Sequence, residues 1–267
     1  MPSKPKLGQN FLHDSAAIER IIAALGDIST STVIEIGPGR GALTERLITR
    51  AHHLIAIELD TELAAALQAQ FPPDKLTVVR QDVLTFDFPA ASTAAGHKLA
   101  VIGNLPYYIT SPILLKLAAN SPSLDRAVLM MQREVADRVC AAPSTRDFGL
   151  LSVTAQSYGP VESLFTLPPS AFSPPPEVHS SVIRWRFSPR FAALAVDESP
   201  FLRFARSAFA QKRKTLSNNL RAAGFPPASI ASAFAAADIN PASRAEALSI
   251  ETLAAVFKNL PSPIESD

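Results

Sequence analysis

Short apolar runs recur along the first half of the chain, each separated from the next by a stretch of good helix formers, and that alternation admits few folds. The runs fall at residues 33–36, 54–57, 76–79, 99–102 and 127–131, and the intervening helix-forming segments at 42–51, 62–70 and 111–119. Runs this dense in apolar residues, interrupted only by Glu35 and Thr77, read as strands covered on both faces. Crossover helices on both sides of an open parallel sheet satisfy that need, so the reading is α/β, with ligands expected at the carboxyl ends of the strands.

The first strand runs directly into Glu35-Ile36-Gly37-Pro38-Gly39-Arg40-Gly41-Ala42. Glycines at a strand-to-helix turn let a ligand approach backbone N–H groups closely. Glu58 closes the second strand, 21 residues after Gly37, where a carboxylate accepts both hydroxyl hydrogens of a ribose. Asp82, just past the third strand, is similarly placed to take an adenine amine. These positions describe an adenosine pocket. Gly37, Gly39 and Ala42 also satisfy the looser dinucleotide fingerprint, so the local pattern alone leaves nicotinamide dinucleotide and S-adenosylmethionine both open. A phosphate loop of the GK[ST] type is absent.

At the end of the fourth strand stand Asn104-Leu105-Pro106-Tyr107: a carboxamide, a proline-stiffened turn and an aromatic ring. The lone pair of an adenine N6 amine is delocalised into its ring, so chemistry there requires acceptors on the two amine hydrogens and a clamp on the ring face. Asn104 and Tyr107 supply both.

Composition narrows the rest. No apolar stretch approaches the ~18 residues needed to cross a bilayer, and the opening Met1-Pro2-Ser3-Lys4 leads to no apolar signal core, so a soluble, cytoplasmic protein is expected. Cys140 is the sole cysteine, and His13, His52, His53, His97 and His179 show no metal-ligand spacing, so neither a disulfide nor a metal is expected. The formal net charge is only +1, but from Phe201 onward eight basic residues face five acidic ones.

Beyond a helix expected at 133–142 the chain becomes proline-rich, then regains strand character at 178–187, read as an edge hairpin closing the sheet. Periodicity lapses around 188–200. Phe201, Phe204, Ala208, Phe209, Leu216 and Leu220 then recur at helical spacing until Gly224, and helices follow at 228–237 and 250–260 with Ser249 as N-cap. Two domains are therefore expected, 1–190 and 191–267.

The tetrad at 104–107 occurs together with Gly8-Gln9-Asn10-Phe11-Leu12, Phe172-Ser173-Pro174-Pro175-Pro176-Glu177-Val178-His179-Ser180, Phe209-Ala210-Gln211-Lys212-Arg213-Lys214-Thr215-Leu216 and Arg244-Ala245-Glu246. In this combination the chain closely resembles the ribosomal small-subunit RNA adenine N6-dimethyltransferases, the kasugamycin-resistance family, over nearly its whole length. The resemblance implies a Rossmann-like class I S-adenosylmethionine-dependent methyltransferase domain with a small C-terminal helical domain that binds RNA or the ribosome. It implies that Asn10 and Leu12 cover the cofactor, that Gly37 and Gly39 line its amino-acid end, and that Glu58 and Asp82 hold its ribose and adenine. Asn104 then touches the cofactor and accepts from the target N6, the Leu105 carbonyl accepts the second hydrogen, Pro106 stiffens the turn and Tyr107 stacks on the flipped base.

The same resemblance places the Phe172 loop beside the target base. It implies a substrate of two adjacent adenines near the 3′ end of small-subunit ribosomal RNA within the immature 30S particle, S-adenosylhomocysteine as product, no metal, and a monomer. Arg203, Arg206, Lys212, Arg213, Lys214 and Arg221 are the candidates for RNA contact, since the low net charge requires a local basic field. Tyr108 stands where this family more often has Asn. A large-subunit RNA methylase conferring macrolide resistance, a non-catalytic ribosome-assembly factor and a nicotinamide-dependent oxidoreductase are the competing readings. The carboxy-terminal motifs oppose the first, the intact Glu58, Asp82, Asn104 and Tyr107 the second, and the lack of a hydride-transfer acid/base the third.

Overall fold

The computed structural model describes residues 10–261; Gly8 and Gln9 of the N-terminal motif lie outside the described residues. Seven strands form one sheet: β1 (Thr32–Ile36), β2 (His53–Glu58), β3 (Leu76–Arg80), β4 (Leu99–Asn104), β5 (Leu124–Gln132), β6 (Val161–Leu167) and β7 (Ser180–Arg186), in the order β3-β2-β1-β4-β5-β7-β6. β1 to β5 are parallel, and β7 runs antiparallel to both β5 and β6. All five residues of β1 are buried, Thr32 and Glu35 among them. The edge hairpin expected at 178–187 is a single strand, β7, which lies inside the sheet; its antiparallel neighbour β6 forms the edge.

The order of the strands reverses between β1 and β4, the switch point at which open α/β sheets bind ligands. The two strands approach unusually closely there. A Cβ on Gly103 would lie 2.6 Å from the Ile36 carbonyl oxygen, so the last turn of β4 depends on having no side chain. Helices Thr61–Gln70 and Thr110–Ala119 follow β2 and β4. The first is capped by Asp60, whose side chain accepts from the Glu62 and Leu63 N–H groups. The helix expected at 42–51 is regular only over Thr44–Leu47. A short antiparallel pair, Phe11–Leu12 with Phe172–Ser173, lies outside the main sheet.

The described residues through Ala136 form one compact unit with Pro160–Ser188, and Asp137–Gly159 forms a second with the described residues from Pro189 on. The break after Ser188 falls close to the expected boundary at 190. Residues 137–159, expected in the first domain, belong to the helical unit, because helix Leu150–Ser157 packs on helix Glu198–Ala208 and the Tyr158 hydroxyl donates to Glu198 Oε1 at 2.6 Å. Phe201, Phe204 and Phe257 cluster at the centre of that unit with ring centroids 5.4–6.1 Å apart. Ser249 caps helix Ile250–Lys258, accepting from the Thr252 N–H at 3.1 Å. No helix among the described residues is long and apolar enough to cross a membrane.

Candidate active site

The carboxyl ends of β1, β2 and β4 and the turn after β3 open onto one pocket, lined by Asn10, Leu12, Gly37, Gly39, Glu58, Asp82, Asn104, Leu105, Pro106 and Tyr107 among others. All ten residues assigned to the cofactor and the tetrad thus come together, although they lie on five separate stretches of chain.

Gly39 adopts φ 58°, and a Cβ there would meet the Phe11 ring at 3.0 Å. The glycine therefore serves both the left-handed turn and the close passage of the N-terminal segment. The Arg40 guanidinium lies over the same ring, 4.4 Å from the Phe11 centroid, an interaction worth about 0.5–1 kcal/mol at an exposed site. Glu58 is buried, and backbone donors hold both of its carboxylate oxygens: the Gly39 N–H on Oε2 (3.1 Å) and the Asp60 N–H on Oε1 (2.9 Å). Each oxygen keeps a further lone pair for a ribose hydroxyl. Asp82 caps the following turn, accepting from the Leu84 N–H through Oδ1 at 2.9 Å, which leaves its other oxygen for an amine.

The tetrad is fixed by different means. Leu105 N–H donates to the Met130 carbonyl at 2.8 Å, continuing the β4–β5 ladder one residue past the strand. Thr110, itself buried, donates to the Pro106 carbonyl at 3.0 Å and holds the turn. The Asn104 amide donates through Nδ2 to the Asn10 carbonyl at 3.0 Å, so Oδ1 is the end left to accept. Tyr107 is half-buried, its hydroxyl 2.7 Å from Ser180 Oγ, and burial raises its pKa above the ordinary value. Tyr108 stands 61% exposed at the mouth of the same pocket.

Two residues of this pocket region were given no role by sequence reasoning. Glu35 is 1% exposed and accepts from the Thr44 hydroxyl at 2.7 Å. Burial, aided by the nearby Glu58 charge and opposed by the Thr44 bond, pushes its pKa up to about 7. A lone carboxylate inside an otherwise apolar buried strand was itself the signal. Ser180 closes the Phe172–Ser180 motif, but nothing local linked it to Tyr107, 73 residues away in sequence.

Phe172 is not in the pocket. It is 2% exposed and packs in the apolar core with Leu12, its partner across the short strand pair, so the ring serves packing. The six basic candidates lie in the helical unit and all are exposed: Arg203 and Arg206 on helix Glu198–Ala208, Lys212 to Lys214 in the turn after it, and Arg221 on helix Leu216–Ala222. Buried Asn219 shapes that turn, donating to the Ala208 carbonyl at 2.7 Å and the Gln211 carbonyl at 3.3 Å. Among the described residues no cluster of three or more His, Cys, Asp or Glu is placed to hold a metal ion.

The donor set suits S-adenosylmethionine chemically: two carboxylates with lone pairs free for hydroxyl and amine donors, and a glycine turn closed by Phe11. The architecture is shared with the dimethyladenosine transferase of Plasmodium falciparum (TM-score 0.78, 24% identity, 92% of this chain and 95% of that one). It is shared also with the 23S rRNA methyltransferase ErmE (TM-score 0.72, 24% identity, 94% and 99%). The fold is thus a Rossmann-like α/β domain with its pocket at the switch point of the sheet. Residues 2–261 match the family described as ribosomal RNA adenine dimethylase, and the chain belongs to that family. It is 56% identical over 258 residues to the ribosomal RNA small subunit methyltransferase A of Acidobacterium capsulatum, covering 96% of this chain and 91% of that protein. To the protein of the same name from Koribacter versatilis it is 46% identical over 269 residues, covering 96% and 94%.

Proposed function

We propose that this rRNA adenine dimethyltransferase places two methyl groups on the N6 atoms of each of two adjacent adenines in a hairpin near the 3′ end of small-subunit (16S) ribosomal RNA, working as a cytoplasmic monomer on the immature 30S particle. The observation that carries the reading is the orientation of Asn104. With Nδ2 spent on the Asn10 carbonyl, Oδ1 is available as an acceptor at the mouth of a strand that also presents the Leu105 carbonyl and the Tyr107 ring. The relatives from Acidobacterium and Koribacter, named for the small subunit, support the choice of RNA.

Glu58 would hold the ribose, Asp82 the adenine, and Gly37, Gly39, Asn10 and Leu12 the remainder of S-adenosylmethionine, whose sulfonium supplies an electrophilic methyl when bound. The chain's own part is to prepare the nucleophile. In the first transfer Asn104 Oδ1 and the Leu105 carbonyl draw the two N6 hydrogens out of the ring plane, turning nitrogen toward a tetrahedral geometry and taking its lone pair out of conjugation. Tyr107 stacks on the extruded base and offsets part of the unstacking cost, a few kcal/mol and smallest in a loop. No base is needed beforehand, because the amine becomes acidic only as the new N–C bond forms, and its proton then leaves to solvent.

The test is transfer of radiolabelled methyl from S-adenosylmethionine to purified immature small subunits and, separately, to large subunits, followed by nucleoside analysis. N6,N6-dimethyladenosine confined to small-subunit RNA is expected. Label in large-subunit RNA alone, or binding without label in either, overturns the proposal.

A further inference from the structure

Ser180 ends the Phe172–Ser180 motif and begins β7, where it lies opposite Gln132 of β5 on one side and Leu167 of β6 on the other. The residue before it is pinned as well, since the His179 carbonyl accepts from the Arg133 N–H at 3.0 Å. Ser180 is 0% exposed, so its hydroxyl projects from a backbone held on both sides and has little freedom to wander. Its partner is the Tyr107 hydroxyl at 2.7 Å. At the other end, Tyr107 hangs on a turn in which the Pro106 carbonyl accepts both the Ile109 N–H (3.2 Å) and the Thr110 hydroxyl (3.0 Å).

We infer that Ser180 is a positioning residue for base recognition: its hydroxyl anchors the far end of the Tyr107 side chain and so fixes the plane on which the extruded adenine stacks. This rests on the proposed stacking role of Tyr107. A tyrosine ring has two side-chain rotors, and the turn at 106–110 restrains the backbone alone. The hydroxyl contact removes the remaining swing, and partial burial raises the phenol's pKa and keeps it neutral, so either oxygen can donate. Stacking geometry sets how squarely N6 meets its two acceptors, and small misplacements of a reacting atom are costly. The bond therefore acts on turnover and leaves cofactor binding alone.

The experiment is a double-mutant cycle on the full chain with Ser180→Ala and Tyr107→Phe, methylating immature small subunits. Each variant deletes the same bond from one side and leaves the aromatic ring. The expected result is a loss in kcat of roughly three- to tenfold for either single variant, the scale of one neutral hydrogen bond. KM for S-adenosylmethionine should not change, and the double variant should be no slower than the singles. RNA carrying 2-aminopurine at the target adenine gives a second readout: stacking on Tyr107 quenches its fluorescence, and the quench should be shallower in Ser180→Ala. Wild-type kcat in Ser180→Ala, losses that multiply in the double variant, or a fall in rate that only tracks the fraction of unfolded protein would each overturn the inference while leaving the proposed function standing. A wild-type enzyme that forms no N6,N6-dimethyladenosine in small-subunit RNA overturns both.

Discussion

Glu35 gives this protein a stability that depends on pH in a way a single substitution should erase. Its carboxyl is buried, and desolvation is the main reason its pKa climbs from the ordinary 4.5 to about 7. A group that holds its proton more tightly folded than unfolded favours the native state at low pH. The benefit is full below about pH 4.5 and drains away as the pH rises to about 7, where the native carboxyl finally ionises. At about 1.4 kcal/mol per tenfold, the gap is worth about 3 kcal/mol. Glu35→Gln keeps an oxygen for the Thr44 hydroxyl and removes the titration. Urea denaturation followed by the fluorescence of Trp185, the sole tryptophan and fully buried in β7, reports the unit that contains Glu35. Because every other titrating group is shared, the difference between variant and wild type isolates this one. The variant should gain on wild type by about 3 kcal/mol between about pH 5 and about pH 8. Two profiles that stay parallel across that range would refute the burial argument.

Three further outcomes follow from the same geometry. Asn104→Ala should lower kcat on the order of a hundredfold, the scale of losing one group aimed at the reacting centre, with little change in RNA affinity; equal turnover would remove Asn104 from the chemistry. Reversing the charge at Lys212, Arg213 and Lys214 should weaken RNA binding and reduce the slope of log affinity against log salt by about 2–3; an unchanged slope would make that exposed run an ordinary solvated surface. Gly103→Ala should cost about 1–3 kcal/mol or more, because the new methyl meets the Ile36 carbonyl at 2.6 Å and neither strand can yield. A urea midpoint equal to wild type would contradict the close approach of β1 and β4.

The parallel strands were legible because their runs are dense in apolar residues, as burial on both faces requires of the inner ones, and β1 to β5 fall within a few residues of their expected places. The elements that escaped notice lack such a signature. β6 is a half-exposed edge strand in which polar and apolar residues do not alternate cleanly. Helix Leu150–Ser157 is rich in Ser, Val and Thr, poor helix formers, and relies on packing and on a bond from the Gly149 N–H to Ser152 Oγ at 3.0 Å. The glycine turn after β1, with Gly41 at φ 84°, delays the start of the helix expected at 42–51 to Thr44; nothing in the composition of residues 48–51 marks its early end at Leu47.

The site divides along the same line. Glu58, Asp82 and Asn104 could be read because the chain places each at or just beyond a strand's carboxyl end, and that position alone predicts convergence in an open α/β sheet. What sequence could not supply is the set of contacts that orient them: Asn10 on Asn104 across 94 residues, and Ser180 on Tyr107 across 73. Those contacts also explain why Phe172 belongs to the core. The Phe172–Ser180 motif pairs with the strap at Phe11–Leu12 at one end and enters the sheet as β7 at the other. It acts on the pocket through the backbone of the strap and the hydroxyl of Ser180, while its first aromatic ring fills the space behind Leu12. Neither Asn104 nor Tyr107 is therefore positioned by its own turn alone. Each is completed by a distant segment, and the two segments are themselves hydrogen-bonded strands, so the Asn104 amide and the Tyr107 ring are set by one connected piece of structure.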